Sequence, residues 1–292
     1  MYELIKISDS DYYIESPTRI GVIRLNETDV CLIDSGFNKD VGKRVKKILD
    51  QNGWNLKSIY VTHAHSDHIG ANKYLQEQTG CKIYANGMDC DLTNHTILGT
   101  SLLYGGCPFD ELKHRLLYAP ESKAEPLTEN VLPTGFKILN LSGHTADMVG
   151  YITPDNTVFL ADALCSAETV DKYKITYIYN VEDYLKTLER IKSLKANVFI
   201  PCHIRPSDNI TDLAQYNIIK VYEVADTILK ICKSPVCFEE LLQKLFQEYN
   251  IKMNQQQYLL IGSTVRSYLS WLKESEKIET VIENCKILWR TK

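Results

Sequence analysis

The first half of the chain alternates short apolar runs with amphipathic stretches. Residues 2–7, 20–25 and 30–33 are rich in β-branched and aromatic side chains and predict strands, punctuated by Asn26 and by Asp34-Ser35-Gly36. Val41, Val45, Ile48 and Leu49 then recur at helical spacing, with Gly53 just past the last turn. A strand over 58–61, a helix over 71–78 closed by Gly80, and a strand over 82–84 follow. Strand patterns return at 136–139, Val149–Ile152 and 158–160, and a helix over 181–194 leads to a last strand at 197–200. Strands alternating with helices predict an α/β domain whose sheets are covered by helices.

Two regions break the rhythm. Residues 87–133 carry Gly99, Gly105-Gly106, Pro108, Pro120, Pro126 and Pro133 with little periodicity, which predicts an insertion of short helices that could cover a site. Beyond about residue 208 the strand signal fades. Ile219, Val221, Val224, Ile228 and Ile231 predict a long helix that Pro235 ends. Phe238, Leu241, Leu242 and Leu245 predict a second helix, and Ile261, Val265, Leu269 and Leu272 a third. Residues 278–281 and 286–289 would close the module as a hairpin. The expected organisation is a domain over 1–210, with its insertion, and a helical, winged-helix-like domain over 211–292.

Composition then excludes some function classes. The 33 Lys and Arg against 37 Asp and Glu leave a formal charge of −4, the wrong sign for nucleic-acid binding by bulk electrostatics. From Pro235 onward the balance is 8 basic against 7 acidic residues, or +1, a weak basis for gripping phosphates. No apolar run approaches the ~20 residues that span a bilayer, and the first residues lack the basic-then-apolar pattern of an export signal. Nine cysteines, an odd number with no CxxC spacing, read as reduced thiols. The expected compartment is the cytoplasm, with no membrane partner.

The chemistry concentrates in Thr62-His63-Ala64-His65-Ser66-Asp67-His68, directly after a buried-looking strand. Four potential ligands in six residues cannot share one helix or strand face, but a loop at a strand end can splay them toward one point. Imidazoles with a carboxylate suit zinc or iron. Three further candidates follow apolar runs in the same way: His144 in Ser142-Gly143-His144-Thr145, Asp162 after 158–160, and His203 after 197–200. Functional groups gather at the C-terminal ends of strands in layered α/β folds.

On these residues the chain resembles the metallo-β-lactamase superfamily over roughly 1–205. The resemblance implies an αββα sandwich with a binuclear metal site at one edge. It implies that His63, His65 and His144 hold one metal, that Asp67, His68 and His203 hold the other, and that Asp162 bridges them. Asp34, in Ile33-Asp34-Ser35-Gly36, matches a further motif and is expected to orient ligands without binding metal. Two zinc ions are expected, with iron or manganese as other occupants that such a donor set admits. A hydroxide bridging the two ions would attack an ester, thioester, lactone or phosphodiester, with Asp67 binding metal and accepting the nucleophile's proton. Asp162 points away from antibiotic hydrolysis and toward the glyoxalase II-like, lactonase and nuclease branches. No basic pattern for glutathione is evident after Asp162. His65 disfavours the flavodiiron branch, which has Glu there, and the chain has no counterpart of the extra histidine loop of transfer-RNA trimming enzymes.

The expected substrate is a small molecule, with single-stranded RNA a weaker alternative. A second alternative is a persulfide dioxygenase with one iron held by His63, His144 and Asp162. Arg205 is a candidate for an anionic substrate group, or an ordinary surface arginine. Tyr104, Phe109 and Tyr118 are candidates for an aromatic lid, or more simply for the insertion's own small core. Cys165 and Cys202 read as structural thiols, and His95 and His114 as surface residues.

Overall fold

The computed structural model describes residues 2–113 and 117–292; His114 lies outside the described residues. Four strands open the chain, β1 (Glu3–Lys6), β2 (Asp11–Glu15), β3 (Ile20–Arg24) and β4 (Asp29–Ile33), each antiparallel to the next. Helix α1 (Lys39–Gln51) carries the chain back, so that β5 (Asn55–Tyr60) lies parallel to β4. The Asn38 side chain starts α1 by accepting from the Asp40 and Val41 amides, two donors the helix itself cannot satisfy. Short α2 (Ser66–Ile69) and α3 (Asn72–Thr79) lead to β6 (Lys82–Ala85), parallel to β5. After α4 (Gly87–Asn94) and α5 (Ile97–Tyr104), β7 (Ala124–Pro126) adds to β6 and completes a seven-stranded sheet in the order β1 to β7.

A second sheet holds β8 (Lys137–Asn140), β9 (Val149–Ile152) and β10 (Thr157–Ala161). The chain then forms α6 (Ala167–Tyr173) and α7 (Val181–Lys192) before β11 (Val198–Pro201) joins this sheet parallel to β10. Side-chain alternation along the strands builds two cores. Val22, Val30, Leu32 and Ile59 pack with Val41, Val45 and Leu49 of α1 and Leu75 of α3. On the opposite face Ile23, Cys31, Ile33 and Tyr60 meet Val149, Tyr151, Phe159 and Ile200 of the second sheet. Glycine at position 21 permits that approach, since a Cβ there would stand 2.7 Å from the Phe159 ring. The result is a sandwich of two sheets with helices against the outer face of the larger one.

Contacts divide the chain into one unit of Met1–Ala163 with Leu194–Ile210 and another of Leu164–Ser193 with Thr211–Lys292. Helices α6 and α7, which lie within residues 1–210, group with the C-terminal residues. The second unit continues with α8 (Thr211–Ile231), β12 (Val236–Cys237), α9 (Phe238–Glu248), α10 (Gln255–Glu274) and the hairpin β13 (Ile278–Glu283) and β14 (Lys286–Thr291). Its three strands run in the order β12-β14-β13. Asn284 and Cys285 both have positive φ, 48° and 60°, as the tight turn of such a hairpin requires. No helix among the described residues is long and apolar enough to cross a membrane.

Two strands depart from the sequence expectation. β2 begins with an acid, but Asp11 is fully buried and accepts a hydrogen bond from Thr153. β7 lies within 87–133, so that region is not wholly an insertion: it contributes an edge strand to the larger sheet.

Candidate metal centre

Five strand ends converge. His63 to His68 follow β5, Asp34 follows β4, His144 sits between β8 and β9, Asp162 follows β10, and His203 follows β11. Asp34 and Ala161 have left-handed φ values of 60° and 49°, which non-glycine residues rarely adopt, so the backbone is strained at two of these turns. Asp34 is fully buried and serves its neighbour loop: it accepts from the Thr62 amide and hydroxyl and from His68 Nδ1, each at 2.8 Å.

All seven sequence-predicted ligands come together, in two overlapping groups. His63, His65, His144 and Asp162 offer donor atoms within 4.8 Å of one another, and so do Asp67, His68, Asp162 and His203. In the first group His65 Nδ1 lies 3.0 Å from His63 Nε2 and 3.1 Å from His144 Nε2. Nitrogens on a common tetrahedral zinc at about 2.0–2.1 Å would stand roughly 3.3 Å apart. In the second group His203 Nε2 is 3.3 Å from Asp67 Oδ2 and 3.4 Å from Asp162 Oδ1. His68 Nε2 is 3.4 Å from Asp162 Oδ2.

In His63, His68 and His203 the other ring nitrogen is engaged, so that Nε2 faces the centre. His68 Nδ1 donates to Asp34, and His203 Nδ1 donates to the Pro17 carbonyl at 2.8 Å. Thr62 gives its hydroxyl proton to Asp34 and accepts from His63 Nδ1 at 3.1 Å. His68 Nε2 and Asp162 Oδ1 are buried without a hydrogen-bond partner, a costly state that a cation between them would relieve. The donor set and its orphaned atoms fit divalent metal.

Electrostatics divides the groups. Burial, reinforced by the neighbouring rings, holds His63 well below its usual value and takes His65 down to about 3. Both are neutral, as a ligand must be. Asp162 raises His203 to about 12, aided by Asp67. Burial opposes charge on His68, but Asp67 and Asp162 outweigh it and raise that ring well above its usual value. The same contacts, through His68 and His203, overcome burial and hold both carboxylates below the usual range. Without metal, two imidazolium protons therefore face two carboxylates.

Sequence reasoning missed the supports. Thr18, nearly fully buried, donates to Asp67 Oδ2 at 2.9 Å. Arg19 donates to the Cys202 and Ile204 carbonyls on either side of His203. Asp89 binds the histidine loop from α4. None has a periodic signature; the one sequence signal that could have pointed to a fixed loop is Pro17, directly before Thr18. Cys202 is buried with Sγ 3.9 Å from His68 Nδ1, while Cys165 belongs to the second unit. His95 and Arg205 are exposed. Tyr104 and Phe109 stack edge-on at 5.7 Å but are 44% and 40% exposed, so they do not form the closed core expected of the insertion.

A sequence model described as the metallo-beta-lactamase superfamily matches residues 14–203. The chain belongs to that superfamily. It is 29% identical over 187 residues to a hydroxyacylglutathione hydrolase of Prochlorococcus marinus (strain MIT 9312), covering 62% of this chain and 63% of the relative. A hydroxyacylglutathione hydrolase of Rhodopseudomonas palustris (strain BisB18) is 31% identical over 143 residues, covering 47% of this chain and 46% of its own length. The chain thus spans less than two thirds of the length of these curated relatives. Among solved structures, a beta-lactamase domain protein from Burkholderia ambifaria superposes with a TM-score of 0.72 at 13% identity, covering 99% of this chain and 94% of the other. A metallo-beta-lactamase family protein from Thermus thermophilus gives 0.70 at 16% identity, over 99% and 97%. These likenesses carry the fold of this metallo-beta-lactamase superfamily member.

Proposed function

We propose that the chain is a metal-dependent hydrolase of small thioesters or related esters, with two divalent ions, zinc foremost. His63, His65 and His144 would hold one ion, Asp67, His68 and His203 the other, and Asp162 both. The observation that carries this reading is Asp162, whose carboxylate approaches rings of both groups: 3.7 Å from His144 Nε2 and 3.4 Å from His203 Nε2. A single-iron site would leave Asp67, His68 and His203 converged for no purpose. When bound, two zinc ions lower the pKa of a shared water and polarise the scissile carbonyl.

The chain's own groups supply the rest. Asp67, ionised and 31% exposed, is the acceptor for the proton that the attacking water gives up. Thr18 fixes Asp67 Oδ2, and the Pro17 carbonyl fixes the ring of His203. Thioesters lead because the curated relatives matched are named hydroxyacylglutathione hydrolases. Lactones, phosphodiesters and short RNAs form the comparison panel.

Protein purified without added metal or chelator should carry about two zinc per chain. It should cleave thioesters, lose activity on chelation and regain it with zinc. One iron per chain with oxygen consumption on a persulfide would replace this reading by the dioxygenase one. Thr18→Val, similar in shape but without the hydroxyl, should weaken the Asp67 ion about tenfold in chelator competition, as loss of a ligand's outer partner does. Unchanged affinity would show that Thr18 does not orient Asp67.

A further inference from the structure

The first turn of α4 carries a carboxylate that the proposed reaction does not use. Asp89 is 1% exposed, and no Lys or Arg among the described residues pairs with it. Burying an ionisable carboxyl without a counter-ion is costly and persists only where hydrogen bonds compensate. Both oxygens are engaged, and both reach the metal-centre loops. Oδ1 accepts from the Ala64 amide at 2.8 Å, between His63 and His65. Oδ2 accepts from the Thr145 hydroxyl at 2.9 Å, next to His144. One side chain therefore ties together the two loops that supply the three rings of the first group, although these loops are some 80 residues apart in sequence.

The surrounding turn is built for the same junction. The Met88 amide donates to Asp147 Oδ2 at 2.7 Å, and Asn86 Nδ2 donates to the Asp147 carbonyl at 3.0 Å. Gly87 has φ +42°, and a Cβ there would lie 2.3 Å from Asp147 Oδ2. Only glycine lets the α4 start approach the loop of His144 this closely. The 86–89 turn thus grips residues 145–147 at three points. Burial pushes the Asp89 carboxyl up to about 6, against the lowering effect of the Ala64 and Thr145 hydrogen bonds, in keeping with a group retained for its geometry and not for its charge.

We propose that Asp89 is a positioning residue that sets the spacing of His63, His65 and His144 by bracing the 63–65 and 144–145 loops against each other. The inference rests on the reading of those rings as metal ligands. Removal of Asp89 then weakens the ion of the first group and leaves the Asp67–His68–His203 group in place. Asp89→Ala removes both braces. Asp89→Asn keeps the acceptor for the Ala64 amide, and its NH2 can donate to Thr145 Oγ1, so it restores much of the geometry without the charge.

The test is chelator competition for zinc in a His203→Ala background, where the second group lacks one of its donors and the tighter zinc reports the first group, alongside thermal unfolding of the metal-free proteins. Asp89→Ala should raise the zinc Kd about 10–100-fold, with Asp89→Asn recovering most of the loss. If Asp89→Ala does not fold, Thr145→Val, which removes only one brace, should still raise the Kd. Metal-free stability falling while the Kd stays at its parent value, in either variant, would reduce Asp89 to a structural residue and overturn the proposal. Failure of the His203→Ala parent and of the unsubstituted protein to bind zinc would instead sink the metal-site reading itself.

Discussion

Asp162→Asn is expected to take bound zinc from about two per chain to one or fewer and to lower turnover by about a thousandfold. The argument is one of sharing. His63, His144, His68 and His203 all place an Nε2 within 3.4–3.9 Å of this carboxylate, so it belongs to both groups at once. Asparagine keeps the size but removes the charge and presents an NH2 to rings that need an anion. Several kcal/mol of transition-state stabilisation attributable to metal would be lost, at about 1.4 kcal/mol per factor of ten. A second readout is independent of metal. Asp162 is the main cause of the raised His203 ring, so in the metal-free variant that ring should titrate well below about 12 by NMR. Two zinc per chain with normal turnover would show that Asp162 bridges nothing.

Zinc affinity should also climb steeply with pH, and unevenly between the two groups. A ring must shed its proton to bind metal. His68 and His203 are both held protonated at neutral pH in the metal-free chain, His203 up to about 12. Filling the second group therefore releases up to two protons, and its association constant rises by as much as about 100-fold per pH unit. His63 and His65 are already neutral, His65 down to about 3, so their ion should show little dependence between pH 6 and 8 on their account. Calorimetry at pH 6, 7 and 8 in buffers of different ionisation enthalpy counts the protons directly. Equal, pH-independent affinities for both ions would mean that the second group is not charged as described.

The residues that converge at the candidate metal centre could be picked out because each follows an apolar run that becomes a strand: β5 before His63, β10 before Asp162, β11 before His203. Periodicity also located α1, α7 and the long C-terminal helices. It failed where a buried polar residue begins a strand, as at Asp11, and where a three-residue edge strand hides among prolines, as at Ala124–Pro126. It could not register Asp89, Thr18 or Arg19, whose significance lies in single contacts across long separations: 25 residues from Asp89 to Ala64 and 49 from Thr18 to Asp67. The α6–α7 segment was assigned by its neighbours in sequence, whereas contacts group it with the residues after Thr211.

That grouping bears on how the chain can be made and divided. The polypeptide leaves the first unit after Ala163, returns at Leu194 to lay down β11 and His203, and leaves again at Thr211. Emerging from a ribosome, the first sheet pair must wait for its last strand until α6 and α7 have already appeared, so the units cannot be completed strictly one after the other. A chain cut after residue 210 would retain α7 without α8, the helix packed against it, and α7 carries Tyr184, Leu188 and Ile191, which are buried in the whole protein. Loss of function on such a cut would therefore report exposed apolar surface as readily as a missing recognition module. Excising either unit cleanly would require rejoining Ala163 to Leu194, or Ser193 to Thr211, across the segment removed.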